Sequence, residues 1–140
     1  MRAVLKLGGM VGVIGILSLG NILCLPTLAE IPNQKKMILI GVSQPKTESE
    51  IKYYLAPDSI NKRGRQNFYT LWAFWKNPPK NTYATKEKHA ANCQDWEDTR
   101  ISFASVDAQG HVINEYPDGQ KKLVEPGTLD DKALQLVCSR

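Results

Sequence analysis

Two cysteines constrain this chain more than any other feature. Cys93 and Cys138 are the only ones left once an N-terminal export signal is set aside, and Cys138 lies on the short amphipathic segment that ends the chain. Arg2 and Lys6 make the signal's charged start, residues 7–25 are almost uninterruptedly apolar, and Pro26-Thr27-Leu28-Ala29 supplies a helix break and small residues. Cleavage is expected after Ala29, leaving residues 30–140 as the mature domain with no membrane span of its own. The apolar run approaches the ~20 residues of a membrane-spanning helix, so an uncleaved anchor is the competing reading. Lipid attachment at Cys24 is disfavoured, because bulky Leu23 stands where a lipoprotein signal needs a small residue.

An exported protein meets oxidising conditions, which makes a Cys93–Cys138 disulfide the expected state; the alternative is two free buried thiols. Closing a loop of this length is worth roughly 4 kcal/mol in the chain-entropy account. For a small domain that is a large share of the total. Removal of residues 1–29 leaves 111 residues, enough for one domain with one core. The whole chain has 18 basic and 14 acidic residues, and Arg2 and Lys6 leave with the signal, so the mature charge is near +2. That is not the footprint of a nucleic-acid binder. His89 and His111 with two cysteines in no CxxC spacing make no zinc site, and no cofactor is implied.

Along the mature chain, short apolar runs alternate with turn residues, the pattern of strands. Residues 37–42 read as a first strand and 50–56 as a second, with Ile51, Tyr53 and Leu55 on one face. Pro57-Asp58-Ser59 and Lys62-Arg63-Gly64-Arg65 then supply turn chemistry, giving a hairpin with a basic tip. The third strand, 67–76, is apolar on both faces: Tyr69, Leu71, Ala73 and Trp75 alternate with Phe68, Trp72 and Phe74. Such a strand belongs in the sheet's interior. One face should lie under the terminal helix and the other under a loop, a ligand or a partner, a homodimer being the simplest cover. Asn77-Pro78-Pro79-Lys80 ends it. A fourth strand from about 82 to 93 puts Tyr83, Thr85, His89, Ala91 and Cys93 on one face. Segments 100–106 and 111–116 form a last hairpin.

After Tyr116, Pro117-Asp118-Gly119 opens a loop that Pro126-Gly127 closes. Thr128 is placed to cap a helix, with Asp131 three residues on and Asp130 and Asp131 at the positive end of the dipole. Leu129, Ala133, Leu136 and Val137 share one face of it, flanked by Leu134 and Cys138. A helix of about ten residues does not persist alone in water. Docking and the covalent tie must supply what propensity does not.

These residues carry a resemblance. Tyr53-Tyr54-Leu55-Ala56-Pro57-Asp58-Ser59-Ile60, the aromatic strand through Leu71-Trp72, Cys93 near a strand end, and Glu125-Pro126-Gly127-Thr128 leading to a helix closed by Val137-Cys138 resemble the surface-adhesin protein E family of Gram-negative bacteria. The likeness runs from about residue 37 to 138. It implies an α+β fold, in which an antiparallel sheet of about six strands carries a C-terminal helix on its concave face, tethered by a disulfide. It also implies a dimer and adhesion to host proteins.

The catalytic inventory argues against an enzyme. His89 is flanked by Lys86 and Lys88 and reads as a surface or sheet-face histidine, both mature cysteines are expected in a bridge, and no serine sits in a nucleophile elbow. Asp95, Glu97 and Asp98 around Trp96 are the residue types of an acid/base or sugar site, but read here as a solvated inter-strand turn. No phosphate-cradling glycine loop is present. The basic tip, Lys62, Arg63 and Arg65, is the candidate interaction surface, suited to an acidic protein patch or an acidic glycan. The expected function is that of a non-catalytic, adhesin-like binding protein of the cell envelope, located in the periplasm, on the outer membrane surface or outside the cell. A small envelope enzyme, or an envelope inhibitor or structural protein, is the alternative.

Overall fold

The computed structural model describes residues 30–139. The expected export signal and its cleavage point at Ala29 lie outside the described residues. Six strands, β1 (Ile38–Ser43), β2 (Ile51–Arg63), β3 (Gln66–Trp75), β4 (Ala84–Asn92), β5 (Glu97–Val106) and β6 (Val112–Leu123), form one antiparallel meander in chain order. The helix α1 (Leu129–Val137) follows. Each strand pairs with its neighbours in sequence, as short turns favour. The edges are β1 and β6.

β3 is buried on both faces because a separate core lies on each side. Under the helix, Ile40, Leu55, Tyr69, Leu71 and Ala91 pack against Ala133, Leu134 and Val137. On the opposite face Trp72, Phe74, Ala84 and Val106 pack with Met37, and Ile31 of the N-terminal segment lies against them. Trp72 is only 1% exposed within a single chain. The second cover therefore comes from the protein itself, through residues 31–37 and their single 3₁₀ turn, Gln34–Lys36, capped by Asn33.

Two strands run further than the turn residues predict. β2 continues through Pro57-Asp58-Ser59 to Arg63, because residues 57–60 loop out of register between the pairs Ala56↔Thr70 and Asn61↔Phe68. The Ser59 hydroxyl donates to the Ala56 carbonyl and accepts from the Thr70 amide, which closes the gap in the ladder. β6 likewise passes through Pro117-Asp118-Gly119, since Asp118 and Gly119 bulge out opposite Ile101. Proline is tolerated there because β6 is an edge strand. In both places the turn chemistry is real, but it produces a bulge rather than an end.

The β2–β3 connection is a two-residue turn, Gly64-Arg65, between paired Arg63 and Gln66. Gly64 has φ +62°, a conformation that costs glycine little, at the first central position of a hairpin turn. On α1 the Thr128 hydroxyl accepts from the Asp131 amide, as the capping pattern predicts. The buried stripe is centred on Ala133, Leu134 and Val137, with Leu129 and Leu136 at its margins, a slight rotation from the expected face. Leu129 reaches over β1 at Gly41, where a β-carbon would meet its Cδ1. The Cys93–Cys138 disulfide is present, with Cα atoms 5.6 Å apart, and joins the end of β4 to the helix C-terminus.

Candidate interaction surfaces

The basic tip is mounted on a fixed base. Lys62 pairs with Asn67 across the β2–β3 ladder, and the Asn67 side-chain amide donates to the Val137 carbonyl at 3.0 Å, tying the hairpin to the last turn of the helix. A hollow of about 300 Å³ opens there, lined by Lys62, Arg65, Asn67, Gln94 and the two bridged cysteines. Arg63 faces the other side of the sheet, its guanidinium 5.8 Å from the Phe68 ring centre. Among the described residues none of Lys62, Arg63 and Arg65 is in an ion pair; Lys52, Lys76, Arg100, Lys121 and Lys122 are paired, while Lys35, Lys36, Lys86 and Lys132, among others, stand unpaired but do not cluster on one hairpin. The three candidate residues are thus brought together at one end of the sheet with their charge unspent.

A second polar constellation lies beneath and beside the N-terminal half of α1. Register sets Tyr69 opposite His89, and their rings stack 5.0 Å apart. The Tyr69 hydroxyl donates to Asp98 Oδ1 at 2.7 Å, and His89 Nδ1 meets Asp98 Oδ2 at 2.7 Å. His89 Nε2 meets Glu87 Oε2 at 3.2 Å. Burial alone would lower the His89 pKa, but its hydrogen bonds to Asp98 and Glu87 and the charges of both raise it to about 9. At neutral pH the ring is an imidazolium donating from both nitrogens. Burial, then the Asp98 charge, raises the Tyr69 pKa, so the phenol stays neutral.

The sheet-face reading of His89 holds and its surface alternative does not, and the solvated-turn reading of Asp98 is corrected. His89 is a buried cation, 3% exposed, and Asp98 is a fully buried β5 residue rather than part of a solvated turn. Asp95 does lie in the β4–β5 turn, where its carboxylate accepts from Asn92. Trp96 is no ligand platform, since its indole N–H donates to Asp131 at 2.9 Å. Asp131 also accepts from the Gly127 amide and Gln135; the Gly127 bond first, then Trp96, holds its pKa below the usual carboxylate range. The clue to the buried network was available: His89 shares its strand face with Ala91 and Cys93, the face the tether pulls under the helix.

Where the helix stops, the same face stays open. Arg100 Nε donates to Asp118 Oδ2 at 2.6 Å and its Nη1 lies 3.9 Å from Glu87 Oε2. Lys122 pairs with Asp130 on the first turn of α1. Glu87, Arg100, Lys122 and Asp130, with His89 and Gln120, line a cavity of about 140 Å³. Among the described residues no cluster suits a metal ion, and no helix is long and apolar enough to cross a membrane.

The family model for "Surface-adhesin protein E" matches residues 40–139, from the middle of β1 to just past the tethered cysteine. The chain belongs to the surface-adhesin protein E family. Two solved structures of Haemophilus influenzae protein E share its fold. Crystal form II superposes with a TM-score of 0.57 at 16% identity, covering 81% of this chain and 93% of that one. A further structure of the same protein gives 0.53 at 15% identity, covering 81% and 92%. No match was found among curated proteins. At such identities the likeness to the solved structures is one of fold. Membership of the surface-adhesin protein E family supports a surface-adhesin role and an exported or surface-exposed location.

Proposed function

We propose that this protein is a non-catalytic adhesin-type module of the cell envelope whose contact surface is the β2–β3 tip, meeting an acidic patch on a protein partner. The observation that carries the reading is the set of three cations, Lys62 and Arg63 at the end of β2 and Arg65 on the two-residue turn that follows, with no carboxylate partner among the described residues. Cations already neutralised by neighbours add little to long-range attraction, whereas unpaired ones steer an acidic partner and set its salt dependence. The tether beneath the tip lowers the cost of ordering it on binding. An acidic glycan would use the same charges.

The non-catalytic part rests on the way His89 is engaged. Both of its ring nitrogens are held by carboxylates, so neither is available to take a proton from a substrate. Capture from envelope and host-matrix extracts on immobilised mature protein tests the reading. A partner should be retained at low salt and released as salt rises. The triple variant Lys62→Ser, Arg63→Ser, Arg65→Ser should lose it while keeping the wild-type unfolding midpoint. Retention by that variant at wild-type strength would move the contact surface elsewhere.

A further inference from the structure

Across the helix-bearing face, one register row runs Leu55, Leu71, Glu87, Phe103, Tyr116 from β2 to β6. Leu55 and Leu71 belong to the core under α1, but Phe103 and Tyr116 lie beyond it. Tyr116 is 55% exposed. The two rings stack with centroids 6.4 Å apart and planes 27° from parallel, an aromatic strip of which Tyr116 is the exposed member. The Arg100 guanidinium lies 5.8 Å from the Phe103 ring centre and connects the strip to the 140 Å³ cavity lined by Glu87, Gln120 and Asp130 among others.

Charge decides what such a place can take. Every cation at the cavity already faces a carboxylate: Arg100 meets Asp118 and Glu87, Lys122 meets Asp130, and His89 meets Asp98 and Glu87. A charged ligand would have to displace one of these partners. A neutral polyhydroxylated one would not, because each hydroxyl donates to a carboxylate oxygen and accepts from a guanidinium or amide N–H at once. Its flat C–H face is apolar and suits an aromatic strip. The acceptor Asp118 is also fixed in place, by the Gly119 and Gln120 amides and by Arg100. Strand addition by a second chain is disfavoured here, since Pro117 and the bulge after it interrupt the free edge of β6 beside Tyr116.

We infer that the open end of the helix-bearing face is a saccharide site, in which a neutral sugar ring stacks on Tyr116, beside Phe103, and its hydroxyls bind Glu87, Arg100, Asp118 and Gln120. This site is separate from the basic tip and stands whether or not the tip binds an acidic partner.

The test is amide chemical-shift titration of the mature protein with neutral hexasaccharides of glucose and of N-acetylglucosamine, in β-1,4 and α-1,4 linkage, up to about 10 mM, the weak end of specific binding. At least one should shift residues 87, 103, 116 and 120 while leaving residues 62–65 in place. Tyr116→Ala, at an exposed position, should weaken binding about tenfold through loss of the stacking surface. Gln120→Ala should weaken it a few-fold through one lost hydrogen bond. The affinity should hold between about 0.05 and 0.5 M salt, because no ion pair forms on binding. Shifts confined to the tip, no shifts with any of these sugars, or binding by Tyr116→Ala equal to wild type would each overturn the assignment.

Discussion

Burial strips water from an imidazolium, so His89 stays charged beside the helix only because Asp98 and Glu87 face it and Tyr69 satisfies the remaining Asp98 oxygen. The consequence is a pH dependence of stability whose sign is fixed. The folded pKa, about 9, lies above the unfolded value of 6.5. The stabilisation is therefore fully present below pH 6.5 and is lost as pH rises through 9, an effect on the order of 3 kcal/mol. Urea unfolding between pH 6 and 9.5 should show this decline, and His89→Gln should flatten it while lowering stability throughout, since Asp98 then lacks its cation. A wild-type curve with no slope in that window would mean that the ring is neutral in the fold. The sequence reveals little of this. Lys86 and Lys88 flank His89 in the chain, yet on a strand they point to the opposite face; Glu87 shares the His89 face on the same strand, while Asp98 and Tyr69 arrive from neighbouring strands by register.

At the scale of elements, α1 is a nine-residue helix held by three devices: the buried stripe of Ala133, Leu134 and Val137, the Asp131 clamp on Trp96 and Gly127, and the disulfide at its end. Replacing Cys138 by Ser should lower stability by roughly 2 to 5 kcal/mol, the usual effect of losing a native bridge in a small exported domain. Proteolysis should then cut α1 before the sheet, because a helix this short relies on docking. Cys93→Ser should behave the same way, and intact α1 in both variants under protease would show that packing alone suffices. The helix, its cap and its tether were legible because cap residues, apolar spacing and cysteines act locally. The strand ends after Ala56 and Tyr116 were not. Proline and glycine mark a departure from the ladder, and whether the chain resumes pairing afterwards depends on the opposing strand, which no local signal reports. Burial of Trp72 was legible as a need, since a doubly apolar strand must be covered twice. Part of its cover, Ile31, lies in a stretch with no pattern of its own, and Met37 reads as the start of a strand rather than as a lid.

For the whole molecule, the order of events at the N-terminus sets what the envelope receives. If the signal is cut after Ala29, the mature chain begins at Glu30, next to Ile31 on the second core. N-terminal sequencing of the envelope fraction should return Glu-Ile-Pro-Asn; a start at Met1 or at a modified Cys24 would mean retention by an anchor. The disulfide also divides the molecule mechanically. It closes residues 93–138 into a ring that contains β5, β6 and α1, whereas β1, β2, β3 and β4 remain an open strand of chain. Pulled from its two ends, the oxidised protein releases only the part outside the ring, and the 45-residue span inside it bears no load. Its fully stretched length should fall short of the reduced protein's by about 150 Å, at roughly 3.4 Å per residue. Single-molecule extension with and without reductant measures that difference directly. A protein that holds onto something under flow would thus keep its helix-bearing half, with Phe103, Tyr116 and the cavity beside them, enclosed in a loop that tension cannot straighten.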